Sequence, residues 1–151
     1  MSSDQKLYPL DSLVVAFEAL PHVKVLGLRC IDIERGSCLF ELPYNEQLVG
    51  NSETGVVHGG AITSLLDSAG GAVAFTVVAA SKSVATLDLR IDYLTQAAPR
   101  QAILGYANCY RQTQSVAFVK GYAYQDSIDN QIASFSASFM IGSVGFTLNA
   151  D

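Results

Sequence analysis

The sequence predicts an α+β domain: a curved antiparallel sheet wrapped around one long buried helix. Two observations carry that expectation. Residues 61–80 form a run that is apolar on nearly every face, and a helix hydrophobic all round is normally buried in a core or a membrane. Short segments of alternating apolar and polar residues, separated by turn residues, lie on either side of it. Such alternation marks antiparallel strands. Strands joined by short turns bury one face, and a wholly apolar helix is the surface available to cover it.

The rest of the composition sets limits. The 151 residues make one domain, with residues 1–22 as an N-terminal extension carrying a short helix and residues 142–151 as a tail. Half of the residues are hydrophobic and 15% are charged, which excludes a disordered chain. So low a charge fraction points to a large core or to apolar surface hidden by oligomerisation. A net charge of −5 argues against nucleic-acid and anionic-membrane partners, which need a basic face. Lys82, Arg90, Arg100, Arg111 and Lys120 are the cations available to an anionic ligand. Cys30, Cys38 and Cys109 show no metal spacing. Three reduced thiols are the expectation, with a bridge between Cys30 and Cys38 as the alternative. The start MSSDQKLYPLD shows no signal-peptide pattern, so a cytoplasmic chain is expected. Residues 61–80 reach membrane-spanning length, but Asp67, the Gly70-Gly71 pair and several hydroxyl residues favour a core helix.

The elements follow in order. Residues 1–9 read as a polar lead-in. Leu13, Val14, Phe17 and Leu20 recur at helical spacing, with Asp11 or Ser12 as N-cap and Pro21 as the stop. His22 then lies in a turn. From Val23 the pattern alternates through Leu26, Leu28, Cys30 and Ile33, turns at Gly36, and resumes with Cys38, Phe40 and Leu42, a hairpin. Residues 45–55 form a polar loop long enough to take part in a site. After the helix, residues 83–93 read as a strand through Leu87, Leu89, Ile91 and Tyr93. Strands at residues 101–110, 115–125 and 131–141 complete the sheet.

One stretch carries chemistry. Gly59 and Gly60 stand where the apolar helix begins, so its free N–H groups can be closely approached by a ligand. Asp67 sits further along the same helix, and a buried acid costs several kcal/mol unless it is paired or used. An oxyanion-binding helix start plus a carboxylate is the expected pair. Eight residues separate Gly59 from Asp67, about 12 Å at the helical rise. A reacting centre must lie within ~3 Å of both groups. Two antiparallel copies satisfy that more easily than one, which points to a homodimer with sites at the interface.

His58-Gly59-Gly60, then four residues, Leu65, one residue and Asp67 resembles the hotdog-fold acyl-CoA thioesterases of the PaaI type, in the 4-hydroxybenzoyl-CoA thioesterase superfamily. Gly55 before the His, and the strand Asp88-Leu89-Arg90-Ile91-Asp92-Tyr93-Leu94 with Pro99 after it, extend the match. The order of elements agrees over residues 23–141. The resemblance implies a hotdog fold and hydrolysis of an acyl-CoA to free acid and coenzyme A, with no cofactor and no metal. It also implies a homodimer or homotetramer.

In the residues, the resemblance implies that the Gly59 N–H polarises the thioester carbonyl and that Asp67 of the opposite subunit is general base or nucleophile. Thr86 then orients water, and His58 holds the helix start. The family's Asn six residues before the His corresponds to Ser52, with Asn51 one residue earlier as its substitute. Asn51, Gly60, Arg90 and Arg111 are the expected substrate-binding residues, the arginines toward coenzyme A phosphates. Other chemistries lack their motifs, since there is no GxSxG elbow, no Walker loop and no HExxH. A non-catalytic acyl-CoA-binding module and a thioesterase acting on acyl carrier protein remain as alternatives.

Overall fold

The apolar run becomes helix α3, Gly59–Val77, and the sheet closes around it. The computed structural model describes residues 6–142. Ahead of α3 come α1 (Leu10–Glu18), α2 (Pro21–Leu26), β1 (Arg29–Glu34), β2 (Ser37–Leu42), a 3-10 turn (Glu46–Leu48), β3 (Val49–Asn51) and β4 (Val56–Val57). After it come β5 (Val84–Tyr93), β6 (Ile103–Gln112), β7 (Val116–Tyr124) and β8 (Ala133–Ile141). Six strands pair in the order β1-β2-β6-β7-β8-β5, every neighbour antiparallel. This is the hotdog arrangement.

The core lies between α3 and the inner face of that sheet. Leu65, Leu66, Ala69, Ala72 and Val73 are fully buried against residues such as Phe40, Ile103, Val119 and Phe139. Gly59–Val77 is long and apolar enough to cross a membrane, but most of it is buried by the sheet. The β1–β2 turn anchors its far end. Arg35 donates to the Thr76 carbonyl at 2.8 Å, and Gly36 N–H donates to the Thr76 hydroxyl at 2.9 Å. A cation over the last carbonyls suits the negative end of the helix dipole.

Boundaries shift where local chemistry overrides periodicity. The first helix begins at Leu10 with Pro9 as its N-cap, rather than Asp11 or Ser12, and ends at Glu18. Pro21 does not merely stop it. Its fixed φ opens α2, which absorbs His22, Val23 and Leu26 before Gly27 (φ 71°) closes it. The strand expected from Val23 therefore starts at Arg29. The polar lead-in is anchored: Leu7 bridges Ala79, and Tyr8 is buried edge-on to Phe75. Residues 45–55 carry the 3-10 turn and β3 rather than plain loop. Residues 1–5 of the lead-in and 143–151 of the tail lie outside the described residues.

A bulge in β5 and a tight contact in β7 bear on the site and the core. In β5 the register slips between Thr86 and Asp88, so the alternation read over residues 83–93 is interrupted by a bulge. The extra residue brings Thr86, opposite Phe139, onto the same inner face as Leu89, Ile91 and Tyr93. In β7, a Cβ on Gly121 would lie 1.9 Å from the Tyr106 carbonyl oxygen and 2.7 Å from the Phe135 ring. Backbone cannot yield to that contact. Gly121→Ala is expected to lower stability by at least about 2 kcal/mol, the cost of overpacking a closed core. Urea unfolding with an unchanged slope checks it, and an unmoved midpoint refutes it.

Candidate active site

The start of α3 is set by His58. Its backbone is extended (φ −63°, ψ 137°), its N–H donates to the Leu48 carbonyl at 2.8 Å, and its Nδ1 accepts the Gly60 N–H at 2.8 Å. His58 is therefore an N-cap, and an accepting Nδ1 requires the neutral ring to carry its proton on Nε2. The cap divides the two glycines. Gly60 N–H is taken, whereas Gly59 N–H meets no acceptor among the described residues. Of the two glycine N–H groups at the helix start, one is left free to bind a ligand.

Tyr93, read from the sequence as the last residue of a strand, reaches this point from the end of β5. Its hydroxyl donates to the Gly59 carbonyl at 2.6 Å and lies 2.7 Å from the Thr63 hydroxyl. A Cβ on Gly59 would sit 3.3 Å from the Tyr93 oxygen, so a larger residue there would press on the Tyr93 side chain. Alternation in phase with Leu89 and Ile91, and its place in the strand that extends the family resemblance, were the sequence signals for Tyr93. Gly59 and Tyr93 line a cavity of about 350 Å³ with Val56, Ile62, Leu94 and Ala97.

Asp67 stands at a second place. It is half-buried, and the Thr86 hydroxyl donates to its Oδ1 at 2.9 Å. The β5 bulge makes that contact possible. Both residues line a cavity of about 280 Å³ whose apolar walls include Phe17, Leu20, Phe75 and Phe139. One chain thus holds two half-sites, a helix-start donor and a held carboxylate, each in its own cavity.

The remaining expected residues are not gathered there. Asn51 is exposed in β3, and its Oδ1 accepts the Glu53 and Thr54 N–H groups at 3.0 and 3.3 Å, closing the turn to β4. Arg90 stands on the sheet face away from α3, 74% exposed and 3.3 Å from Asp92. Arg111 is exposed opposite Phe118 on that same outer face. Arg100 instead comes near the helix start along the chain. It holds a left-handed backbone (φ 58°), and its guanidinium packs over Gly55.

The three cysteines are free, so the Cys30–Cys38 bridge does not form. Burial, then Glu18 and Asp32, push the Cys30 thiol up to about 11. Burial pushes Cys38 well above the usual thiol range, and Cys109 upward too. Each shift lowers the thiolate fraction and with it the nucleophilicity of the cysteine.

Comparisons with known proteins give the chain's family and fold. The profile of the Thioesterase superfamily matches residues 54–130, from the turn before β4 to the turn before β8. A crystal structure of a Pseudomonas aeruginosa protein is 41% identical, with a TM-score of 0.79 over 87% of this chain and 98% of that one. The PaaI protein of Thermus thermophilus, a phenylacetic acid degradation protein, is 18% identical with a TM-score of 0.70 over 80% and 98%, a likeness of fold. A protein of Saccharolobus solfataricus named as a candidate esterase is 34% identical over 87 residues, 57% of this chain. The chain spans 60% of the length of that relative, and 50% of a second of the same kind from Halobacterium salinarum.

Proposed function

The chain belongs to the Thioesterase superfamily, and on that premise we propose that it hydrolyses an acyl-CoA thioester to the free acid and coenzyme A. The observation that carries the reading is the Thr86–Asp67 contact beside an apolar cavity. Thr86 occupies Oδ1, so the other carboxylate oxygen is available to take a proton from water. The water oxygen attacks the carbonyl carbon while the carbonyl oxygen gains negative charge against the Gly59 N–H. The carbon–sulfur bond then breaks, and the coenzyme A thiolate takes up the proton. Phe17, Phe75 and Phe139 offer the acyl group, aromatic or medium-chain, an apolar wall. The steps need no metal and no cofactor beyond the substrate's own coenzyme A.

The two half-sites join across a homodimer in this reading. β5 is ten residues long and lies at a sheet edge, and with Leu94 just beyond it exposes Leu87 (50%), Tyr93 (50%) and Leu94 (57%). A long edge strand with large apolar side chains exposed favours a cover. Antiparallel pairing of two β5 edges about a two-fold axis near Leu89 and Arg90 sets Tyr93 of one chain beside Thr86 of the other. The Gly59 donor then faces the partner subunit's Asp67. A tetramer would pair such dimers. The coenzyme A phosphates would lie outside, where Arg90 and Arg111 stand, with Asn51 at the rim, and the substrate class suits a cytoplasmic protein.

Free-thiol release from short, medium, long and aromatic acyl-CoAs tests the reaction, with acyl carrier protein thioesters alongside. Turnover of at least one acyl-CoA and a dimeric or larger mass by light scattering are expected. Tight binding without turnover would replace the reading with a non-catalytic acyl-CoA-binding module.

A further inference from the structure

We propose that Tyr93 is a second hydrogen-bond donor to the thioester carbonyl oxygen, with Thr63 holding the Gly59 carbonyl in its place during the reaction. The inference rests on the thioesterase reading and adds a catalytic residue to it.

The starting point is a carbonyl with too many donors. Gly59 O is the acceptor of the first i to i+4 bond of α3, which takes one of its two lone pairs. The Tyr93 hydroxyl lies 2.6 Å from the same oxygen and the Thr63 hydroxyl 3.2 Å, with 2.7 Å between the two hydroxyls. Three contacts share two hydroxyl protons, so one contact always lacks its proton. Two arrangements fill the remaining lone pair of Gly59 O. In one, Thr63 donates to Tyr93 and Tyr93 to the carbonyl. In the other, Thr63 donates to the carbonyl directly, and the Tyr93 O–H is released.

Release leaves nothing unsatisfied in the helix. Thr63 remains on Gly59 O, and the phenol proton can turn into the cavity that Gly59 and Tyr93 line together. Tyr93 lines that cavity beside Gly59, so a ligand seated there lies next to its ring. The walls there are largely apolar, through Val56, Val57, Ile62, Leu94 and Ala97. A donor aimed at a developing oxyanion is worth most where water is displaced by such walls. The Gly60 N–H, which would otherwise be the second donor of this helix start, is already bonded to His58. Tyr93 supplies the missing one. It donates a hydrogen bond and transfers no proton, so the balance of the hydrolysis is unchanged.

The test is kcat and KM for Tyr93→Phe and Thr63→Val beside wild type and Asp67→Asn, on whichever acyl-CoA the wild type hydrolyses. Tyr93→Phe removes one oxygen from a half-exposed ring and is expected to fold. Its kcat should fall at least about tenfold with KM within about threefold, the pattern of a contact made only in the transition state. Thr63→Val should lose clearly less. Tyr93→Phe at wild-type kcat overturns the inference, and so does an equal loss in the two variants, which would mark both as holders of the helix start. In either case an inactive Asp67→Asn leaves the thioesterase reading intact. A wild type that hydrolyses no thioester, or an Asp67→Asn variant that retains its rate, overturns that reading and this inference with it.

Discussion

Asp67→Asn is expected to lose at least about 10²-fold in kcat on the best acyl-CoA, with the fold preserved. The substitution keeps the size of the side chain and its hydrogen-bonding carbonyl oxygen, which can still accept from the Thr86 hydroxyl now 2.9 Å away. What it removes is the capacity to accept a proton from water, and a positioned general base is typically worth 10²–10⁴-fold. Asp67 lies half-buried on α3, so the exchange opens no cavity in the core. Thermal unfolding should therefore change little while turnover collapses. Retention of most of the activity would remove Asp67 from the mechanism.

Gly59→Pro is expected to lose about 10²–10³-fold, the effect of deleting one oxyanion donor. Gly59 is the first residue of α3, a position where proline is accepted and where its missing N–H costs the helix no internal bond. His58, at φ −63° and ψ 137°, already has the backbone that a residue before proline prefers. The substitution thus deletes the donor and keeps the helix. Gly59→Ala is the control, since it presents the same Cβ 3.3 Å from the Tyr93 oxygen but keeps the N–H. Equal losses in the two variants would show that crowding, not the donor, is at issue.

The same variants test whether the site is shared between chains. Co-expressed in equal amounts, Asp67→Asn and Gly59→Pro chains should recover about a quarter of wild-type activity. Half of the two-fold dimers are then mixed, and each mixed dimer carries one intact site of two. Two groups belonging to one chain's own site would give no recovery.

How far the sequence reaches is visible residue by residue. The apolar run, the two glycines at its start and the acid inside it were legible, because helix periodicity and the cost of a buried charge are local properties. The mismatch between Gly59 and Asp67 was legible too, as a length along a helix axis. The structure keeps them in separate cavities. Element limits were less so: Pro21 and Gly27 build α2 where alternation suggested a strand.

What the sequence by itself determined, then, is the chemistry available and the helix that carries it. Tertiary structure decided which groups are free to act. His58 takes the Gly60 N–H and leaves that of Gly59, a choice made by one side chain's orientation. The bulge after Thr86 turns that hydroxyl onto Asp67, and the regular strand beyond it carries Tyr93 to Gly59. Alternation tells which face a strand residue occupies only while the register holds, and it never tells which helix residue lies opposite. Those contacts join residues 19 and 34 positions apart, so packing of the whole sheet on α3 sets them.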